Sequence, residues 1–205
     1  MFLETLNTTI KTIWPQITII LVLLITIRIV AIKNSNKQFV FHEEASKLIF
    51  VIYVLLLFEL LTGTENSTGS GVNLIPFSEI FRYKLGSSMF IYNVLGNILL
   101  FLPYGYFVSK YANVKNIWQI LLVSLITSFT IELLQLQLGR TFDVDDILLN
   151  VTGGILGYFI YISFNAIKKH LPNFLKSDFI YNAICFIILV AILLYVLHIS
   201  GIWRI

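Results

Sequence analysis

Two apolar runs, residues 116–138 and 147–167, bracket a short segment that holds Arg140, Asp143, Asp145 and Asp146. The first run carries one charge, Glu132, and the second carries none. As helices, both are long enough to cross a hydrocarbon layer about 30 Å thick. A backbone in hydrocarbon must satisfy its own hydrogen bonds, so runs of this length are expected to be helical. Carboxylates at or near that depth are costly and ordinarily belong to a site or an ion pair. The chain is therefore expected to be an all-α membrane protein, with its chemistry concentrated around residues 132–150.

The rest of the chain has the same character. It has 205 residues, 58% hydrophobic and 12% charged, with a mean hydropathy of +0.87. Six spans are expected, at about 14–32, 47–62, 89–109, 116–138, 147–167 and 179–200. Pro15 sits at a helix start, Arg28 can snorkel to headgroups, and the second span carries Glu59. The third contains Pro103, Gly96 and Gly105, which permit a kinked or partly re-entrant segment. The organisation expected is two N-terminal transmembrane helices in 1–62, a core of an extracytoplasmic loop and three transmembrane helices in 63–167, and a cytoplasmic linker with a last helix in 168–205. The first apolar run lacks a basic start and a small-residue cleavage site, so it is expected to be a retained span.

Lysines and arginines set the orientation. One set of span ends holds nine of them (Arg28, Lys33, Lys37, Lys47, Lys110, Lys115, Lys168, Lys169, Lys176) and the other five (Lys11, Arg82, Lys84, Arg140, Arg204). The richer set is expected to face the cytoplasm. Glu59, the 63–88 loop, Asn93, Asn97 and residues 132–150 then gather in the extracytoplasmic leaflet. The net charge of +3 is weak and scattered, which argues against nucleic acid as a partner. Cys185 is the sole cysteine, so no internal disulfide forms. The three histidines are far apart with no metal-binding spacing, and no phosphate-cradling glycine loop is present. The sequons at Asn7, Asn66 and Asn150 are short patterns, and the last falls at membrane depth. No cofactor or metal is identified from these patterns.

Individual residues sharpen the picture. Glu132 and Gln135 share a helix face. Gly139 is placed to end that helix in a left-handed conformation, and Arg140 can fold back toward Glu132. Asp143 fits as the cap of the next helix. Asp146 and Asn150 continue its face inward, whereas Asp145 points elsewhere and reads as a solvated first-turn acid. Gly153 and Gly157 form a small-xxx-small pair that would draw the fourth and fifth spans together. Asn93 and Asn97 repeat the four-residue spacing on the third span, as ligand-binding amides or as bridges between helices. The segment 73–77 is apolar and suited to the membrane surface, with Arg82 and Lys84 near headgroups.

These pieces resemble the VanZ-like family: Asn73-Leu-Ile-Pro-Phe77, Asn93-Val-Leu-Gly-Asn97 through Leu102-Pro103, Glu132-Leu-Leu-Gln135, Arg140-Thr-Phe-Asp143-Val-Asp145-Asp146 and Asn150-Val-Thr-Gly-Gly154. The resemblance covers roughly residues 70–165. It implies a multi-pass protein of the bacterial plasma membrane associated with resistance to teicoplanin-type glycopeptides. The family's motif positions fall on Asn97, Glu132, Gln135, Arg140, Asp143, Asp146 and Asn150. Two functions are weighed. In one, Glu132, Arg140, Asp143 and Asp146, with Asn93, Asn97, Gln135 and Asn150, line a pocket that binds or remodels a membrane lipid, a lipid-linked envelope precursor or the lipoglycopeptide itself. In the other, a metal-assisted hydrolase or transferase on a lipid headgroup, Glu132, Asp143 and Asp146 hold a hard divalent cation through oxygen donors, or one acid acts as general base while Arg140 stabilises a phosphate or oxyanion. A channel or transporter fits less well, because the polar residues gather in one leaflet.

Overall fold

A computed structural model describes residues 2–34, 39–62 and 71–199. Lys37, Arg204, the Asn66 sequon and the rest of the 63–70 loop lie outside the described residues. The secondary structure is dominated by helices: α1 (Phe2–Lys33), α2 (Phe41–Thr62), a short α3 (Ser78–Arg82), α4 (Ser88–Tyr111), α5 (Ile117–Gln137), α6 (Val144–His170) and α7 (Asp178–Ile199). Two two-residue strands, β1 (Val72–Asn73) and β2 (Phe142–Asp143), pair in parallel. Among the described residues, α4, α5 and α6 are long and apolar enough to cross a membrane. Their outward faces carry exposed Leu99, Trp118, Leu122, Ile126, Phe129, Phe159 and Phe164, an apolar belt far larger than a soluble surface carries.

Local chemistry sets the helix ends. Asn116 caps α5 by accepting the Gln119 N–H, and the Gln119 side chain accepts the Lys115 N–H in return. At its far end α5 closes in a Schellman turn, with Arg140 N–H bonded to the Gln135 carbonyl and Gly139 N–H to that of Leu136. Gly139 takes the left-handed conformation there, with φ 83°. The third expected span is one helix, α4, capped by Ser87. It contains a π turn at Ile91–Leu95, where Gly96 N–H reaches the carbonyl of Ile91 five residues back, and Pro103 lies within its α-helical part.

Contacts divide the chain into two compact units, one of Met1–Ile13 and Val54–Ala166 and one of Trp14–Tyr53 and Ile167–Ile205. In the second unit, Arg28 makes a two-pronged pair with Glu44 at 2.6 and 2.7 Å, so its guanidinium has a protein partner besides any headgroup. Lys47 joins Glu44 at 2.9 Å. Asn182 Oδ1 accepts the His42 backbone N–H, and Lys168 stands over the Tyr181 ring.

The first unit is built on glycines. A Cβ at Gly153 or Gly157 would overlap the backbone of Ile98 or Leu102 on α4, and one at Gly105 would overlap that of Gly154. The small-residue pair on α6 therefore packs the fifth span against the third, not the fourth as its spacing suggested. The α5–α6 approach uses Gly154, whose missing side chain leaves room for Ser124. Tyr104 and Thr127 hydrogen bond at 2.7 Å between α4 and α5. These close contacts fix the backbones that carry the polar residues.

Candidate functional site

On α5, Ser124, Ser128, Glu132 and Gln135 form a buried stripe, each at most 4% exposed. An apolar helix shields such groups at a cost unless neighbours or a ligand answer them. Gln135 Nε2 donates to the Leu61 carbonyl at 2.6 Å, and Arg140 Nη1 donates to the same oxygen at 2.9 Å. That oxygen belongs to the last turn of α2, where carbonyls lack partners within the helix and carry the negative end of its dipole. Arg140 was expected to fold back to Glu132; it is directed instead to the end of α2. Glu132 Oε2 accepts the Asp143 N–H at 3.0 Å.

The acids at the start of α6 take different hydrogen-bond partners. Asp143 caps the helix, Oδ1 accepting the Asp145 N–H at 2.8 Å while Oδ2 accepts from Asn73 at 3.1 Å. Burial raises the Asp143 carboxyl above its ordinary range, against the lowering effect of those two hydrogen bonds. Asp145 is not a solvated acid: it is 1% exposed. Its carboxylate accepts the backbone N–H groups of Phe77, Glu79 and Ile80, the latter two at 2.8 and 3.2 Å. It thereby caps α3 from a distant part of the chain, and Phe77 takes a left-handed backbone, φ 66°, beside it. Asp146 accepts from Asn97 Nδ2, which ties α6 to α4. Asn93 bonds to the Met89 carbonyl of its own helix and makes no such bridge among the described residues.

Two cavities result. The larger, about 700 Å³, is lined by Glu132, Gln135, Arg140, Asp146, Asn150, Asn93 and Asn97 together with Leu60, Leu61, Ile91, Leu99 and Leu100, among others. Seven of the eight residues expected at a site thus share one cavity, formed by α2, α4, α5 and α6. The eighth, Asp143, lines a smaller neighbour of about 90 Å³ with Glu79, Tyr83, Asp145 and Asp146. Asn93 and Asp146 belong to both. Burial, followed by the Glu79 charge, raises the Tyr83 hydroxyl. Asn150 is 1% exposed and its Nδ2 donates to Ser128 Oγ at 3.0 Å, whereas its Oδ1 has no partner among the described residues.

The acids do not converge as an oxygen-donor set. Among the described residues, no three His, Cys, Asp or Glu side chains are grouped to hold one metal ion. The sequence reading passed over Ser124 and Ser128, though the steps of four from 124 to 128 to Glu132 are themselves a signal of a shared face. It also missed the π turn, which places Tyr92 and Asn93 on the cavity wall; such turns recur at functional sites. The family model described as VanZ/LLP1 matches residues 47–165, which include α3 to α5, β1, β2, all but the last turn of α6, and every residue of the larger cavity. No curated protein and no solved structure matches the chain.

Proposed function

The chain belongs to the VanZ/LLP1 family, and from that premise we propose that it crosses the bacterial plasma membrane six times and holds an envelope amphiphile in the larger cavity. Through that binding it contributes to resistance against teicoplanin-type glycopeptides. The occupant is an envelope lipid, a lipid-linked precursor or the lipid tail of the antibiotic. The observation that carries the reading is the composition of the cavity wall. One guanidinium, two carboxylates and four amides stand with four leucines and one isoleucine, and of these Ile91 and Leu99 are also exposed on the surface of α4. A volume of about 700 Å³ is in the range of small-molecule sites. A polar head can meet the buried stripe while an acyl chain leaves along the apolar side. By the count of basic residues, the cavity opens in the extracytoplasmic leaflet, where glycopeptides act.

Resistance measurements test this. Arg140→Ala and Asp146→Ala are expected to abolish resistance at unchanged abundance in the membrane fraction. Full resistance in both variants at equal abundance refutes the proposal.

A further inference from the structure

The larger cavity holds more acids than bases. Its charged lining is Glu132, Asp146 and Arg140, a formal charge of −1, and Arg140 already gives one N–H to the Leu61 carbonyl. Asn150 is another lining residue; its Oδ1 is buried without a partner among the described residues, and the amide is held by its bond to Ser128. A buried acceptor left unmatched costs about 1–3 kcal/mol, and natural structures leave few of them. The missing group is a hydrogen-bond donor, and the two carboxylates favour one that carries positive charge.

We infer that the occupant is a zwitterionic aminophospholipid, its primary ammonium directed to Asn150 Oδ1 and the carboxylates and its phosphodiester to Arg140. This deepens the amphiphile reading and rests on it. A wholly anionic headgroup would put its phosphate before two carboxylates and one guanidinium, with no cation to offset them. A quaternary ammonium would bring the charge but no N–H for Asn150. A primary ammonium supplies both.

The experiment uses the full chain in detergent, loaded equally with phosphatidylethanolamine, phosphatidylcholine or phosphatidylglycerol of matched acyl chains, with retained lipid read by native mass spectrometry. Phosphatidylethanolamine is expected to be retained about tenfold over either of the others, the ratio set by one charge-assisted hydrogen bond. Asn150→Ala is expected to erase its advantage over phosphatidylcholine. The wild-type comparison already decides the matter if that variant does not fold. Equal retention of phosphatidylcholine, or preference for phosphatidylglycerol, overturns the aminophospholipid and leaves amphiphile binding standing. A Gly96→Phe variant separates the two failures. Gly96 lines the cavity, and a Cβ there meets the Ile91 carbonyl oxygen at an ordinary 3.8 Å, so the position accepts the root of a side chain large enough to obstruct the cavity. If the wild type retains no lipid above the Gly96→Phe level, the amphiphile reading falls and the aminophospholipid with it.

Discussion

Replacing Asp145 with alanine should release the surface segment around α3 while leaving the helical core in place. The carboxylate receives three backbone N–H groups, from Phe77, Glu79 and Ile80, and each is a bond to a charged acceptor. Such bonds contribute roughly 1.5–3 kcal/mol apiece when their donors stay dry. These donors do not: Phe77 is exposed and Glu79 and Ile80 are half-buried, so water recovers much of the loss. A net of about 3 kcal/mol remains for local opening, which is roughly a 150-fold rise in the open population. Amide hydrogen exchange read by mass spectrometry measures this directly. Peptides covering 75–82 should exchange faster by about two orders of magnitude, and peptides within α4, α5 and α6 should be unchanged. Asp145→Asn keeps one acceptor without the charge and should fall between. Unchanged protection of 75–82 in the alanine variant would refute the anchoring role, and so would an equal rise throughout α4 to α6.

Other outcomes follow from the same geometry. Gly105→Ala and Gly157→Ala drive a Cβ into backbone that cannot rotate away, so each should cost at least the roughly 1–3 kcal/mol of an overpacked core; Gly96→Ala, whose Cβ meets the Ile91 carbonyl oxygen at an ordinary 3.8 Å, should leave thermal unfolding in detergent unchanged, and equal melting of all three variants would contradict the packing. Gly139→Ala strains a left-handed position at φ 83° and should cost about 1–2 kcal/mol by the same assay; no loss would mean that the Schellman turn is dispensable. For Asp143, the folded carboxyl is raised above the unfolded value of about 3.9. Its stabilisation is thus complete below that pH and lost as pH rises through the folded value. Wild type should gain stability relative to Asp143→Asn on acidification through that window, and parallel melting curves against pH would exclude this.

Periodicity and end signals made much of this molecule legible. The apolar runs place α4, α5 and α6, the glycine after Gln137 and Leu138 marks a left-handed end, and an aspartate before Val144 reads as a cap. Spacing of three and four also gathers Glu132, Gln135, Asp146 and Asn150 toward one cavity. What spacing assigns is a face of a helix, never the neighbour that meets it. Gly153 and Gly157 were therefore legible as a contact surface, but their partner on α4 was not. Asp145 was misread for the same reason, since its three donors come from residues 77–80, more than sixty positions upstream. Arg140 had two acceptors within its reach, Glu132 and a last-turn carbonyl of α2. Only tertiary structure decides between a near carboxylate and a helix end brought from residue 61. The π turn in α4 leaves no trace in the residue pattern, because apolar side chains occupy both phases there.

The pairing of Val72–Asn73 with Phe142–Asp143 constrains the order in which this surface can be assembled. α3, α4 and α5 lie between the two strands, so the pairing cannot form until all three have been made. Asp145 and Asp146 emerge from the ribosome only after that. The segment around α3 therefore stays unfastened until β2 and Asp145 have been made, and a nascent chain halted before β2 would carry it unlatched.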